Sequence, residues 1–460
     1  MSKNFRILIC VSALFSMVAA DMNMPMDEPD QDRDLSVYLK NFKWDSFHWL
    51  MSLVLVLILP SISTAFAFAE RNILATNFFL ISTGYSLFEA LFLRFNDPND
   101  HENRTSLGTA WFLMMLLATT TFFGLLLSGS KFLPQSFRSK ENVIARRGEK
   151  FVSRTFRTFA VLSSLTGWVR MCMTVVAMLG FCYANETNHT GQCLAHGIMG
   201  SAFIFYGFVM LLWLMIPWFR NQKTRYPPEF WDSIVISVWG CVNTFTEHRP
   251  WEPWSHGDYQ HTAMGIIWWC MGLVGIYLSK DGHRSFVPGL IIAITGWAMS
   301  VHVQHLEIST KVHYFFGLAL MFAGFGRVIE IAFVLKDQRS IPGKIMSFQY
   351  VAPFGLVEAG LMFMGANEEQ LILVKDMGAG HSSYIMLLTS GAALIILWMV
   401  LIIELYLKLV GVDKYSGGDS SIMNRDEYST LEHQPAVQLE NEVEETRGAE
   451  DFELDSLDDY

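Results

Sequence analysis

Residues 50–69 read LMSLVLVLILPSISTAFAFA, twenty positions without a charge. That run is longer than a core strand and matches the ~20 apolar residues a helix needs to cross hydrocarbon. Including it, eleven such stretches can be read at about 45–69, 73–95, 105–127, 158–182, 194–218, 229–247, 258–279, 286–304, 311–335, 348–366 and 381–409. Backbone polar groups in hydrocarbon must be satisfied within the segment, so the fold class is all-α: a polytopic membrane helix bundle with about eleven transmembrane helices. Only 17% of residues are charged, against roughly 25% in soluble domains. A soluble enzyme, a nucleic-acid binder and a disordered chain are excluded.

The first twenty residues have the layout of a cleaved signal peptide. Lys3 and Arg6 precede the apolar run Ile7 to Val18, and Val18-Ala19-Ala20 offers small residues for cleavage. The domains expected after it are a short outer segment 21–44, a membrane half 45–127 with three helices, a basic cytosolic loop 128–157, a membrane region 158–409 with eight helices, and a cytosolic tail 410–460. Residues 411–460 hold 15 Asp and Glu against 3 Lys and Arg, enough to account for the net charge of −11. So acidic and poorly apolar a tail should be disordered.

With the amino terminus outside, the inner loops carry 17 Lys and Arg and the outer segments 7, counting Lys311 at a span edge, as the positive-inside rule requires. The sequons at Asn103, Asn185 and Asn188 then fall outside, as glycosylation needs. Cys182 and Cys193 bracket one outer loop in an oxidising compartment, which predicts a disulfide. The expected location is a membrane of the secretory pathway, plasma membrane or Golgi and endosome, with the lipid bilayer as the main partner.

Eleven of the 13 histidines fall in outer loops or at outer helix ends. The inward-running helices open with His48, His196, His261, His313 and His381, and H-x-x-x-G recurs at His196/Gly200, His261/Gly265 and His313/Gly317. A repeated hairpin with one functional face would produce that pattern. His256, Asp258 and His261 form one short imidazole and carboxylate grouping, and His302, His305 and Glu307 form another. Positions i and i+3 share a helix face, so His302 and His305 can converge on one ion. The donor set suits zinc, copper or iron. His48, His196 and His313 are further candidates for metal or for haem b. An isolated interfacial histidine more often just hydrogen-bonds a neighbour, and the inner half of every span lacks the second histidine layer of a two-haem reductase.

Met22, Met24 and Met26 could bind Cu(I), or form an unstructured start without a ligand role. Among charges inside spans, Arg327 and Glu330 are spaced to form a structural ion pair, while Glu358, between Gly355 and Gly360, is the candidate for a proton or ion path. Tyr428 and Leu431 make a tyrosine-x-x-aliphatic sorting signal that a clathrin adaptor could read in the tail, or a chance match. No nucleophile-elbow, zincin, Walker or dinucleotide motif sits in a suitable context, so catalysis has no positive evidence.

Three passages carry a resemblance: FHWLMSLVLVLILP (47–60), EFWDSIVISVWGCVNTFTEHRPWEPWSHGDYQHTAMGIIWW (229–269) and GWAMSVHVQHLEISTKVHYFFGLALMFAGFGRVIEI (296–331). They resemble the fungal Ytp-type transmembrane protein family, which implies a multi-pass fungal membrane protein and no particular chemistry. The H-x-L-M-like helix openings are more loosely similar to ascorbate-dependent cytochrome b reductases. The functional expectation is a protein that binds a transition metal or haem at its outer face, as carrier or redox component. The alternative is a non-catalytic scaffold or trafficking protein acting through its tail. Proteolysis of sealed right-side-out vesicles should leave residues 411–460 intact, and cleavage of the tail from outside would reverse the topology.

Overall fold

The computed structural model describes residues 42–96, 103–129, 143–182, 190–221, 225–248, 251, 253–301, 304, 306–341 and 343–415. The signal region, the Met-rich start, Asn185, Asn188, His302, His305, Tyr428 and Leu431 lie outside the described residues, as does the side chain of His256. The described chain is helical, with no strand among these residues.

Helix α1 runs Phe42–Ser52, widens through a π-helical stretch Leu53–Ile58, and continues as Leu59–Phe68. It is followed by α2 (Asn72–Phe92), α3 (Arg104–Gly129), α4 (Val143–Leu179) and α5 (Thr190–Met215). Next come α6 (Pro228–Thr246), α7 (His256–Ser279), α8 (Val287–Ser300), α9 (Glu307–Ile329, prolonged by a π stretch Glu330–Val334), α10 (Val351–Met364) and α11 (His381–Val410). Each of the apolar stretches read from the sequence is therefore helical. Seven helices are long and apolar enough to cross a membrane, namely α1, α3, α4, α5, α7, α9 and α11. The others are shorter or carry more polar residues.

Pro60 explains the widened turn in α1. Proline has no N–H and crowds the carbonyl four residues earlier, that of Val56. Gly167 of α4 packs directly on that carbonyl, and a Cβ there would collide with it.

Helices α1 to α4 form one unit around Val56, Phe79, Leu113, Leu117, Phe156 and Ala160. Hydroxyl pairs tie it together, Thr83 with Thr121 at 2.8 Å and Thr120 with Ser163 at 3.0 Å. Arg170 of α4 donates to Glu89 of α2 at 2.6 Å and to the Ser106 carbonyl of α3 at 2.8 Å, while Ser52 of α1 donates to Glu89 at 3.1 Å. One buried ion pair thus links all four helices. This unit meets the rest of the bundle through Trp168, whose indole donates to Ser201 of α5, and through the Cys182–Cys193 disulfide.

The remaining helices pair by close backbone approach. On α6, Ser233, Ser237 and Gly240 face Gly275, Gly272 and Gly265 of α7 in antiparallel order. Gly289 and Gly296 of α8 face Gly324 and Gly317 of α9, and Gly200 and Gly207 of α5 face Gly360 and Pro353 of α10. A Cβ on Gly296 would lie 2.5 Å from the Gly317 carbonyl oxygen. Small residues of this kind let backbones approach where lipid supplies no hydrophobic drive.

Helix α10 lies at the centre, packed on α5, α9 and α11 around Phe316, Leu320, Leu356 and Phe363. Antiparallel neighbours place residues 247–248, 253–258, Glu307 and 365–381 at one end, the histidine end, and residues 216–221, 225–228, 280–286, 335–341 and 343–350 at the other, the arginine end. Overpacking a tight site costs about 1–3 kcal/mol. Gly296→Leu should therefore lower the thermal unfolding midpoint of the detergent-purified protein. Gly108→Leu, where an added Cβ meets open space, should leave it unchanged.

Candidate functional site

At the histidine end, His196 of α5 and His313 of α9 are both buried and meet with ring centroids 5.9 Å apart and planes at 87°. Phe363 of α10 stacks on His196 at 4.5 Å and stands edge-on to His313 at 6.5 Å. The His313 Nδ1 lies 2.9 Å from the Ser309 carbonyl oxygen. A carbonyl only accepts, so Nδ1–H donates and Nε2 is the lone-pair nitrogen.

The other candidates are arranged differently. Asp258 caps α7, accepting from the Ser255 amide at 2.9 Å and from His248 Nδ1 at 3.3 Å. His261 Nδ1 donates to Glu247 at 2.6 Å. Glu307 is exposed in the first turn of α9. His48 lies in the α1–α4 unit, edge-on to Trp44 at 4.3 Å. Among the described residues, no group of three or more His, Cys, Asp or Glu converges on one point. Helix starts also differ from the sequence expectation: α1, α5, α7 and α9 begin several residues before His48, His196, His261 and His313, and only α11 begins at its histidine. Polar first turns such as Ser255–Asp258 extend those helices outward. Their histidines therefore sit beyond the unpaired N–H groups of the first turn.

The arginine end holds an ionic network. Glu229, at the start of α6, is buried and accepts from Arg284 at 2.5 Å and from Arg327 of α9 at 2.7 Å. Arg327 also pairs with Glu330 at 2.6 Å, and Gln349 donates to Glu330 at 3.1 Å. Arg284 reaches the Gln338 and Arg339 carbonyls as well. Beside the network lies a cavity of about 190 Å³ lined by Tyr206, Trp213, Trp231, Asp232, Arg327 and Arg339, among others. Sequence reasoning recognised Arg327 with Glu330 but missed Glu229 and Arg284, which sit at a span edge and in a loop. It also passed over Asp232, whose signal was a charge within an apolar stretch.

Glu358 lies away from both ends, at the α10–α11 contact, where it accepts from Thr389 at 3.0 Å. Cys182 and Cys193 are bonded to each other, and Glu369 accepts from the Cys182 amide at 2.7 Å. Asn103 precedes α3, and its side chain accepts from the Ser106 amide at 3.0 Å.

The family model described as "Protein YTP1-like, C-terminal" matches residues 166–407, and Protein YTP1 of Saccharomyces cerevisiae is 50% identical over 411 residues, 89% of this chain and 88% of that protein. The chain belongs to the YTP1-like family. An uncharacterized membrane protein of Schizosaccharomyces pombe is 25% identical over 249 residues, 44% of this chain and 48% of its own length. An uncharacterized membrane protein of S. cerevisiae is 25% identical over 268 residues, 46% of this chain and 42% of its own. No solved structure matches. Both the histidine pair and the arginine-end cavity fall inside the YTP1-like segment.

Breaking a buried ion pair by removing one partner costs about 3–5 kcal/mol. Glu229→Gln removes the carboxylate shared by two arginines and should lower the unfolding midpoint strongly in detergent. Glu358→Gln, which loses one hydroxyl contact, should cost much less.

Proposed function

We propose that this YTP1-like protein crosses the membrane eleven times, with its histidine end outside the cytosol, and binds a transition metal ion there as a carrier or redox component of the secretory pathway. The observation that carries the reading is the buried His196–His313 pair. At a zinc–nitrogen distance of about 2.0–2.1 Å, two imidazoles sharing one ion have centroids roughly 5–6 Å apart, and the observed 5.9 Å falls in that interval. The Ser309 carbonyl holds His313 in the tautomer with Nε2 as ligand nitrogen, an outer contact typical of metal histidines. His302 and His305, a few positions before α9, supply further ligands in this reading, along with His256 at the start of α7.

Phe363 packs against both rings, which suits a compact ion better than a porphyrin. The long apolar helices and the basic residues concentrated at the arginine end support the topology. The test is the metal content and visible spectrum of protein purified without chelator. About one zinc, copper or iron per chain is expected, without a Soret band. Loss of outer partners alone typically weakens a metal site about 10–100-fold, so His196→Ala and His313→Ala should each lower occupancy at least tenfold. His283→Ala, at the opposite end, should change nothing. Wild-type protein without metal would leave the membrane body as a scaffold.

A further inference from the structure

Around the arginine-end cavity four arginines, Arg220, Arg284, Arg327 and Arg339, stand against three acids, Glu229, Asp232 and Glu330. Glu229 and Glu330 are matched by Arg284 and Arg327 in a closed network. Arg220 donates to the Leu214 carbonyl at 3.0 Å and to the Lys414 carbonyl at 2.8 Å. Asp232 stands outside that network. It lies one turn along α6 from Glu229 and makes no ion pair among the described residues, although it borders the cavity. Tyr206, from α5, lines the same cavity as Asp232 and the recess beside it. A narrow recess of about 10 Å³ next to it, between Gly289, Ala323 and Leu356, adds room for about one water.

The walls complete the pattern. Trp213 and Phe219 come from the end of α5 and the turn after it, and Trp231 from α6, so aromatic side chains line the cavity together with the carboxyl. A carboxylate with aromatic walls is the donor set that recognises an ammonium group, through charge and through the ring quadrupole. Arg220, Arg284, Arg327 and Arg339 also line the cavity, an excess of positive charge that suits an acidic group next to the ammonium. At about 190 Å³ the space fits an amino alcohol or a small headgroup and is below the roughly 300–1,000 Å³ of drug-sized sites. Its aromatic lining at a helix end is also the composition of the membrane interface.

We infer that this cavity binds a ligand bearing an ammonium group beside a phosphate, with the ammonium at Asp232 and Tyr206. Two sources share that chemistry: the headgroup of an aminophospholipid from the adjoining leaflet, and a free phosphorylated amino alcohol. The site is independent of the histidine end and stands whether or not metal binds there.

The test uses the full-length protein in detergent, titrated with phosphatidylethanolamine, with phosphatidylglycerol as the lipid lacking the amine, and with phosphoethanolamine as the soluble probe. Native mass spectrometry reads the lipids and quenching of tryptophan fluorescence reads the soluble probe. Retention of phosphatidylethanolamine at least tenfold over phosphatidylglycerol, lost in Asp232→Asn, supports the lipid source. Saturable phosphoethanolamine binding lost in the same variant, without lipid preference, supports the soluble one. Tyr206→Phe, a gentler change, should weaken either by severalfold and keeps the test open if Asp232→Asn fails to fold. Equal retention of the two lipids with no phosphoethanolamine binding overturns the inference. So does binding that Asp232→Asn supports as well as wild type, since a neutral side chain would then suffice.

Discussion

Lipid tails are as apolar as the helices they surround, so helices in this bundle gain little from facing one another unless their backbones come close. The YTP1-like segment meets that constraint the same way three times. Gly200 and Gly207, Gly265 and Gly272, and Gly317 and Gly324 are each seven residues apart on one face of α5, α7 and α9, in close contact with backbone of α10, α6 and α8. Each pair follows a histidine by four residues, at His196, His261 and His313. The glycine contacts therefore fix the heights of the three histidines as well as the helix crossings.

What differs is the partner helix. Both α5 and α9 pack on α10, which brings His196 and His313 together over Phe363. Helix α7 instead packs on α6, and His261 is taken up by Glu247 from that helix. A single repeated sequence element thus yields a buried pair in one place and a histidine–carboxylate contact in another.

Charge follows the same logic at the opposite end and in the amino-terminal unit. Removing a charge from water is costly unless it is paired and its remaining hydrogen-bonding positions are filled. Glu89 and Arg170 meet both conditions, with Ser52 and Ser106 supplying the additional bonds. Glu229, Arg284, Arg327 and Glu330 meet them too, and in doing so join the start of α6, the α7–α8 connection and the end of α9. Asp232 borders the cavity beside these groups and takes no part in their pairing, which makes it the residue whose presence the network does not explain.

The sequence by itself determined the fold class and the helical identity of every apolar stretch, because hydrocarbon leaves a chain of this composition no other way to satisfy its backbone. It also determined the Arg327–Glu330 contact, since three residues along a helix share a face whatever surrounds them. Family membership was legible in the passages 229–269 and 296–331 for the same reason: motif and spacing are properties of the chain. Only the tertiary structure decided which histidines meet. His196 and His313 are 117 positions apart, and their contact depends on α5 and α9 choosing the same neighbour. The third dimension alone likewise put Glu229 between two arginines from different elements and left Asp232 facing a cavity. Periodicity reports which face of a helix is apolar or small, but the partner of a polar group is set by the packing of helices distant in sequence.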